Sequence, residues 1–185
     1  MLRLEQIREQ LDVIRAQLGD DQAFMRLAER YHARLLHYVR RLVRERATAD
    51  DVVQETWVAA YRGLRRLRDP ERLKPWLYGI ARNQALNALR REERTRLELV
   101  GNEVLEAVPD GAHGDLEIRA EHVAQVHRGL DGISPAHAEV LVLRYVDGLS
   151  YEEIAEITRT KLGTVRSRLH YARRALREAM EVDEQ

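Results

Sequence analysis

The chain is expected to be all-α, with two small helical domains joined by an acidic flexible linker and a helix-turn-helix in the second. Three observations carry that expectation. Ten glycines and four prolines punctuate 185 residues, which favours long uninterrupted helices over strands. Apolar residues in 4–18 and again in 162–176 recur at alternating steps of three and four, the helical period. Residues 108–114, VPDGAHG, combine two glycines, a proline and an aspartate with almost no apolar content, which reads as linker. The expected division is an amino-terminal amphipathic helix over 1–19, a first domain over 20–98, a linker over 99–116 and a second domain over 117–185.

Composition narrows the function classes. With 44% hydrophobic and 34% charged residues the chain reads as soluble. No window offers the run of apolar residues a membrane span needs, and residues 1–9 lack the apolar core of a signal peptide, so a cytoplasmic protein without membrane insertion is expected. The absence of cysteine excludes disulfides, thiolate zinc sites and a thiol switch within the chain. His122 and His127 are five apart and do not stack on one helical face, so no metal is expected. No cofactor is implied either, and with no nucleophile–base spacing the chain does not read as an enzyme. Formal net charge is zero, but the distribution is uneven. Over 97–122, Glu98, Glu103, Glu106, Asp110, Asp115, Glu117 and Glu121 are opposed only by Arg119, so an acidic connector masks two basic modules.

Leu4, Ile7, Leu11, Ile14 and Leu18 form the stripe of a short helix that stops at Gly19. Little over two heptads cannot sustain an independent coiled coil, so docking onto the body of the protein is expected. A partner-binding or dimerising helix is the alternative. Asp20 or Asp21 caps a helix running to about residue 46 and burying Phe24, Leu27, Tyr31, Leu35, Tyr38, Val39 and Leu42. Thr48 and Asp51 resemble a capping box for a helix over about 49–67 that buries Val52, Val53, Thr56, Trp57, Ala60 and Leu64. Asp51, Gln54, Glu55 and Val58 share one largely polar face of it. That face is a solvated surface or a docking strip for a basic partner, and periodicity does not choose.

Residues 68–74, RDPERLK, read as a polar loop, and Pro75 suits the first turn of a helix to about residue 95. Trp76, Leu77, Ile80, Ala81, Ala85, Ala88 and Leu89 make its buried side. Asn83, Asn87, Arg90 and Arg94 line another side, with Arg82 and Arg91 close by; amides beside arginines suit phosphate and base contacts, and equally an ordinary wet face. Beyond the linker, a helix over about 116–129 is followed by one after Ser134 and Pro135 that buries Val140, Leu141, Leu143 and Val146.

Residues 150–177 then read SYEEIAEITRTKLGTVRSRLHYARRALR. Ser150 and Glu153 form a capping box, and Ile154, Ala155 and Ile157 give a short helix its buried face. The polar stretch 158–160 interrupts the apolar period, and the Thr160 hydroxyl can cap a second helix that buries Leu162, Val165, Leu169, Ala172 and Leu176. The other face carries Lys161, Arg166, Arg168, Arg173, Arg174 and Arg177. A short helix, a tight turn and a basic second helix make a helix-turn-helix whose second helix fits a DNA major groove. The alternative is a basic helix that only solvates one side of a bundle.

Three segments in order carry a family resemblance: ADDVVQETWVAAYR over 49–62, KPWLYGIARNQALNALRRE over 74–92, and 134–177 with DGLSYEEIAEI and GTVRSRLHYARRAL. Together they resemble the extracytoplasmic-function group of bacterial RNA polymerase sigma factors, over most of residues 20–179. The resemblance implies a subunit that binds core RNA polymerase and directs initiation at promoter DNA, both duplex and single-stranded, under the control of an anti-sigma factor. It implies that Asp51, Gln54, Glu55 and Val58 meet the polymerase. It implies that Arg68, Lys74, Trp76, Tyr78, Arg82, Asn83, Asn87, Arg90 and Arg91 serve the minus-ten element, read as an unpaired strand, although Trp76 also suits the core. In the second domain, Arg166, Ser167, His170 and Tyr171 would read minus-thirty-five base edges, while Lys161, Thr164, Arg168 and Arg173 hold phosphates. The acidic linker would run through polymerase channels that otherwise hold nucleic acid. This chain departs from the family at Asn87, often aspartate, at Ala138, often arginine, and at Thr158, where a turn glycine is common. A helix-turn-helix regulator acting without replacing a sigma subunit is the competing reading; it would bind duplex DNA alone, usually as a dimer.

Overall fold

The computed structural model describes residues 2–43, 45–99 and 133–182. Every regular element among them is helical. The chain divides into two compact units, Met1–Glu103 and Val104–Gln185. Leu99, the first residue of the expected linker, and Glu98 of its acidic stretch close the last helix of the first unit, while the rest of the linker and the helix expected over 116–129 lie outside the described residues.

In the first unit, α1 (Leu2–Gln17) precedes α2 (Asp21–Arg40). Gly19, at φ +100°, turns the chain between them, and the Asp20 amide closes on the Arg15 carbonyl at 3.0 Å. Asp20 is the cap that the sequence suggests: its Oδ1 accepts from the amides of Gln22 and Ala23 at 3.0 and 3.1 Å. Leu27, Tyr31, Leu35, Tyr38 and Val39 of α2 are buried as expected, whereas Phe24 and Leu42 are only half-buried. The helix ends several residues short of 46.

α1 docks as expected, but by the opposite face. Val13, fully buried, is its anchor, and its acids point inward: Asp12 pairs with Arg26 at 2.7 Å and Glu9 with Arg30 at 3.1 Å. The Tyr31 hydroxyl donates to the same Glu9 carboxylate at 2.9 Å; burial first, then that carboxylate, pushes the phenol well above its usual range. Gln17 donates to the carbonyls of Leu64 and Leu67 at 3.0 and 2.7 Å. The stripe of Leu4, Ile7, Leu11, Ile14 and Leu18 is left facing out.

α3 (Arg46–Gly63) begins about a turn before the expected start. Glu45 is its cap residue, without a side-chain bond, and the Thr48 hydroxyl instead donates to Glu92 of the fourth helix at 3.0 Å. The expected capping box is therefore a tie between helices. Val52, Val53, Thr56, Ala60 and Leu64 are buried, and the Thr56 hydroxyl donates to the Val52 carbonyl at 2.7 Å. Trp57 is half-buried and meets Phe24 edge-on at 6.0 Å.

Two short 3-10 turns follow: Leu64–Arg66 replaces the last turn of the helix expected to run to about 67, and Pro70–Arg72 lies in the expected loop. Asp69 closes the second by accepting from the Glu71 amide at 2.9 Å. α4 (Leu73–Leu99) follows, with Pro75 in its first turn, where a missing N–H costs nothing. Its buried line is Leu77, Tyr78, Ala81 and Ala85; Trp76, Ile80, Ala88 and Leu89 are only half-buried. The inward face is thus rotated toward Tyr78, whose ring lies 5.2 Å from that of Tyr38.

In the second unit, α5 (Pro135–Leu141) runs into a π-turn, Val142–Val146, where the Asp147 amide reaches back five residues to the Val142 carbonyl at 3.1 Å. The wider turn explains why Val146, expected in the core, is 57% exposed while Leu149 is buried in its stead. Gly148 supplies the positive φ of +66° that the reversal needs. Arg144 then fastens the exit, donating to the Leu149 carbonyl at 2.8 Å and lying over the Tyr151 ring. α6 (Tyr151–Thr158) and α7 (Leu162–Val182) follow, and among the described residues of the unit Val140, Leu141, Leu143, Ile154, Ile157, Val165, Leu169 and Ala172 are buried.

Candidate nucleic-acid interface

The helix-turn-helix starts from its cap. The Glu153 amide donates to Ser150 Oγ at 3.2 Å and the Ser150 amide to Glu153 Oε2 at 2.7 Å, the reciprocal pair expected of S-x-x-E. The turn is made by Arg159, in the left-handed region at φ 52°, ψ 44°. Thr158, matched in the sequence to a family turn glycine, is still helical and buried, its hydroxyl donating to the Ile154 carbonyl at 2.7 Å. The glycine-like position is therefore one residue later. Thr160 does not open α7 as expected: its hydroxyl lies 2.9 Å from that of Thr158, and Lys161, whose carbonyl accepts from Thr164 and Val165, precedes the helix.

α7 buries Val165, Leu169 and Ala172 and half-buries Leu162 and Leu176. Arg166, Ser167, His170 and Tyr171, expected to read bases, are all exposed, with the His170 ring edge-on to Tyr171 at 5.4 Å. Lys161 and Arg173 are exposed and Thr164 and Arg168 half-buried, at the margins of the outward face. That division suits readers at the centre and phosphate contacts at the rim. Gly163, and Arg174 of the expected basic face, are also exposed and lie on the outward line with Ser167 and His170, at steps of four, three and four. Neither was among the expected DNA contacts, and the same period that defines the buried stripe could have found Gly163.

In the first unit, Asp51, Gln54, Glu55 and Val58 are exposed along α3 and line one cleft with Ala59, Arg62, Gln84 and Arg91. Arg62 continues the α3 line four residues beyond Val58, and Gln84 and Arg91 are seven apart on α4, so helical spacing carries both, though neither Arg62 nor Gln84 was anticipated. Arg91 pairs with Glu55 at 3.5 Å, which places it at the acidic strip, one turn along α4 from Asn87. Further along α3, Tyr61 donates to Asp21 at 2.9 Å, and that bond raises its phenol pKa.

The residues expected at the minus-ten strand do not form one patch. Trp76, Asn83, Asn87 and Arg90 share a line along α4; Trp76 is half-buried, its ring 3.1 Å from where a Cβ on Gly63 would stand. Arg90 reaches Asn87 Oδ1 at 3.4 Å. Lys74, Tyr78 and Arg82, at steps of four, lie on a different side. Lys74 and Arg82 are half-buried and engaged within the chain, and Tyr78 has no exposed surface, so it belongs to the core and not to a base-binding surface. Arg68 is exposed in the bend between the two 3-10 turns.

Among the described residues, no cluster of three His, Cys, Asp or Glu side chains could hold a metal ion, and no helix is long and apolar enough to cross a membrane. Residues 27–95 match the family model for sigma-70 region 2, and residues 124–176 match that for sigma-70 region 4. Two solved structures resemble the chain at 26% identity: CnrH in complex with the cytosolic domain of CnrY (TM-score 0.66, covering 95% of this chain and 99% of that one), and the sigma factor RpoE in complex with the anti-sigma factor NepR from Bartonella quintana (TM-score 0.68, covering 86% and 98%). The RNA polymerase sigma-H factor of Pseudomonas aeruginosa is 36% identical over 96% of both chains, and the ECF RNA polymerase sigma-E factor of Escherichia coli K12 is 36% identical over 93% of this chain and 94% of its own. With two sigma-70 regions in order and such identity along nearly its whole length, this chain belongs to the extracytoplasmic-function group of bacterial RNA polymerase sigma factors.

Proposed function

We propose that the chain binds core RNA polymerase in the cytoplasm, recognises minus-ten and minus-thirty-five promoter elements and directs transcription initiation without catalysis of its own. The observation that carries this reading is the outward face of α7: exposed Arg166, Ser167, His170 and Tyr171 on a helix that buries Val165, Leu169 and Ala172 on its other side. An arginine there can address both acceptors of a guanine edge, and the flanking Lys161, Thr164, Arg168 and Arg173 suit phosphates. In the first domain, Asp51, Gln54, Glu55 and Val58 form the polymerase-binding strip, with Arg62, Gln84 and Arg91 at its border. Trp76, Asn83, Asn87 and Arg90 hold the minus-ten strand, with Arg68 close by in sequence and Lys74 and Arg82 in supporting positions. One solved relative, RpoE of Bartonella quintana, is in complex with the anti-sigma factor NepR, which supports the same form of control here.

Purified core enzyme, the chain and a genomic fragment library provide the test. Promoter-dependent transcripts that require the chain are expected. No such transcript on any fragment, together with tight duplex binding in the absence of polymerase, would overturn the reading in favour of a stand-alone regulator.

A further inference from the structure

We propose that the outward face of α1 is a docking seam for a partner helix whose own aliphatic stripe is edged by carboxylates. Leu4, Ile7, Leu11, Ile14 and Leu18 are between 43% and 83% exposed. Scattered exposed leucines are ordinary, but five on one line of one helix form a continuous apolar ridge. Their steps of three, four, three and four are those of a and d positions in a heptad. A narrow seam of this kind, without aromatic residues, fits another helix better than a lipid surface, which favours a wider apolar face.

Charge specifies the partner further. With Leu4, Leu11 and Leu18 at a, the e positions are Arg8 and Arg15, both exposed. The acids Glu9 and Asp12 lie on the opposite side, where Arg30 and Arg26 of α2 neutralise them. At g, Gln10 donates to Glu71 and Gln17 to the carbonyls of Leu64 and Leu67, which fixes that margin against the 3-10 turns. The open edge of the seam is therefore cationic. An antiparallel second copy would set arginine against arginine, and a parallel one would set the arginines against Gln10 and Gln17, already held by the 3-10 turns, whereas glutamates or aspartates at the partner's e and g positions would meet them.

Length is the usual objection, since two heptads barely hold a helix in water. Here that cost is already met: Val13 and the two ion pairs hold α1 folded on α2 before any partner arrives. Preorganisation of this kind lowers the cost of binding. The inference rests on α1 alone and is independent of the promoter-binding reading.

The experiment uses the full chain and two labelled synthetic helices of about three heptads, both with leucine at a and d, one with glutamate and one with lysine at e and g. Fluorescence anisotropy should show the glutamate-edged helix binding about tenfold or more tightly than the lysine-edged one. Arg8→Glu combined with Arg15→Glu should reverse that order, and Leu11→Asp combined with Ile14→Asp should abolish both, with helical content by circular dichroism unchanged. Equal affinity for the two helices, or binding to neither, would overturn the proposal. So would self-association in sedimentation that Leu11→Asp removes, or adsorption to phosphatidylglycerol vesicles that the glutamate-edged helix does not displace.

Discussion

α1 and α7 carry nearly the same apolar rhythm and use it in opposite ways. In α7 the residues at steps of three and four, Val165, Leu169 and Ala172, are buried against α5 and α6, and the arginines are left outside. In α1 the residues at those steps are outside, and Val13 with the acids Glu9 and Asp12 is inside. Periodicity establishes that a helix has an apolar side; what lies opposite decides whether that side is covered. α2 offers Arg26 and Arg30 to its neighbour, and those cations select the acidic face of α1. The largest test of the contrast is truncation of one residue in each stripe. Leu169→Ala should cost about 2–5 kcal/mol by deleting a fully buried side chain. Leu11→Ala should change stability by less than about 0.5 kcal/mol, because its side chain already meets water. Urea unfolding of the two variants, with equal m-values, checks the difference; comparable losses would mean that the α1 stripe is covered within the chain.

Much of this architecture is legible in the sequence, and the misses share a cause. The Ser150–Glu153 box and the Asp20 cap were readable because each is decided by atoms within three residues. Thr48 was misread because its hydroxyl goes to Glu92, far along the chain, and no local pattern announces that choice. Val146 was misassigned because one π-turn shifts the register by a residue, and Tyr78 because the buried line of α4 is set by Tyr38 of α2. The outward face of α7 was legible almost entirely, since burying one stripe fixes the rest of the helix. The candidate face on α4 was legible only in part: a long helix with neighbours on more than one side divides one list of candidates among several faces.

The next test separates specificity from charge on the α7 face. Arg166→Ala should relax base preference in the minus-thirty-five element and cost about 1–3 kcal/mol on the preferred duplex, with little loss on others. Lys161→Ala, at the rim, should weaken all duplexes alike and reduce the salt dependence of binding. Competition binding against a randomised duplex library reads both. A uniform loss for Arg166→Ala would make it a phosphate contact and would move the reading centre of the face toward Ser167 and His170.

The smallest expected effect concerns Gly163, in the first turn of α7, and it turns on sign more than size. A Cβ added there meets nothing within 4 Å. The chain's own packing therefore does not require glycine, although a helical glycine costs up to about 1 kcal/mol relative to alanine. On α1 such a position would have no evident use; on α7 it lies on the outward line with Ser167, His170 and Arg174, where a DNA backbone would make its closest approach. Gly163→Ala should therefore raise the melting temperature and at the same time weaken duplex binding. Opposite signs in the two measurements separate a contact with DNA from a gain in helix stability alone, because a purely structural glycine would shift both together or leave binding untouched. If alanine stabilises the helix and duplex affinity holds or rises, the amino-terminal turn of α7 stays clear of the DNA, and the reading face begins at Arg166.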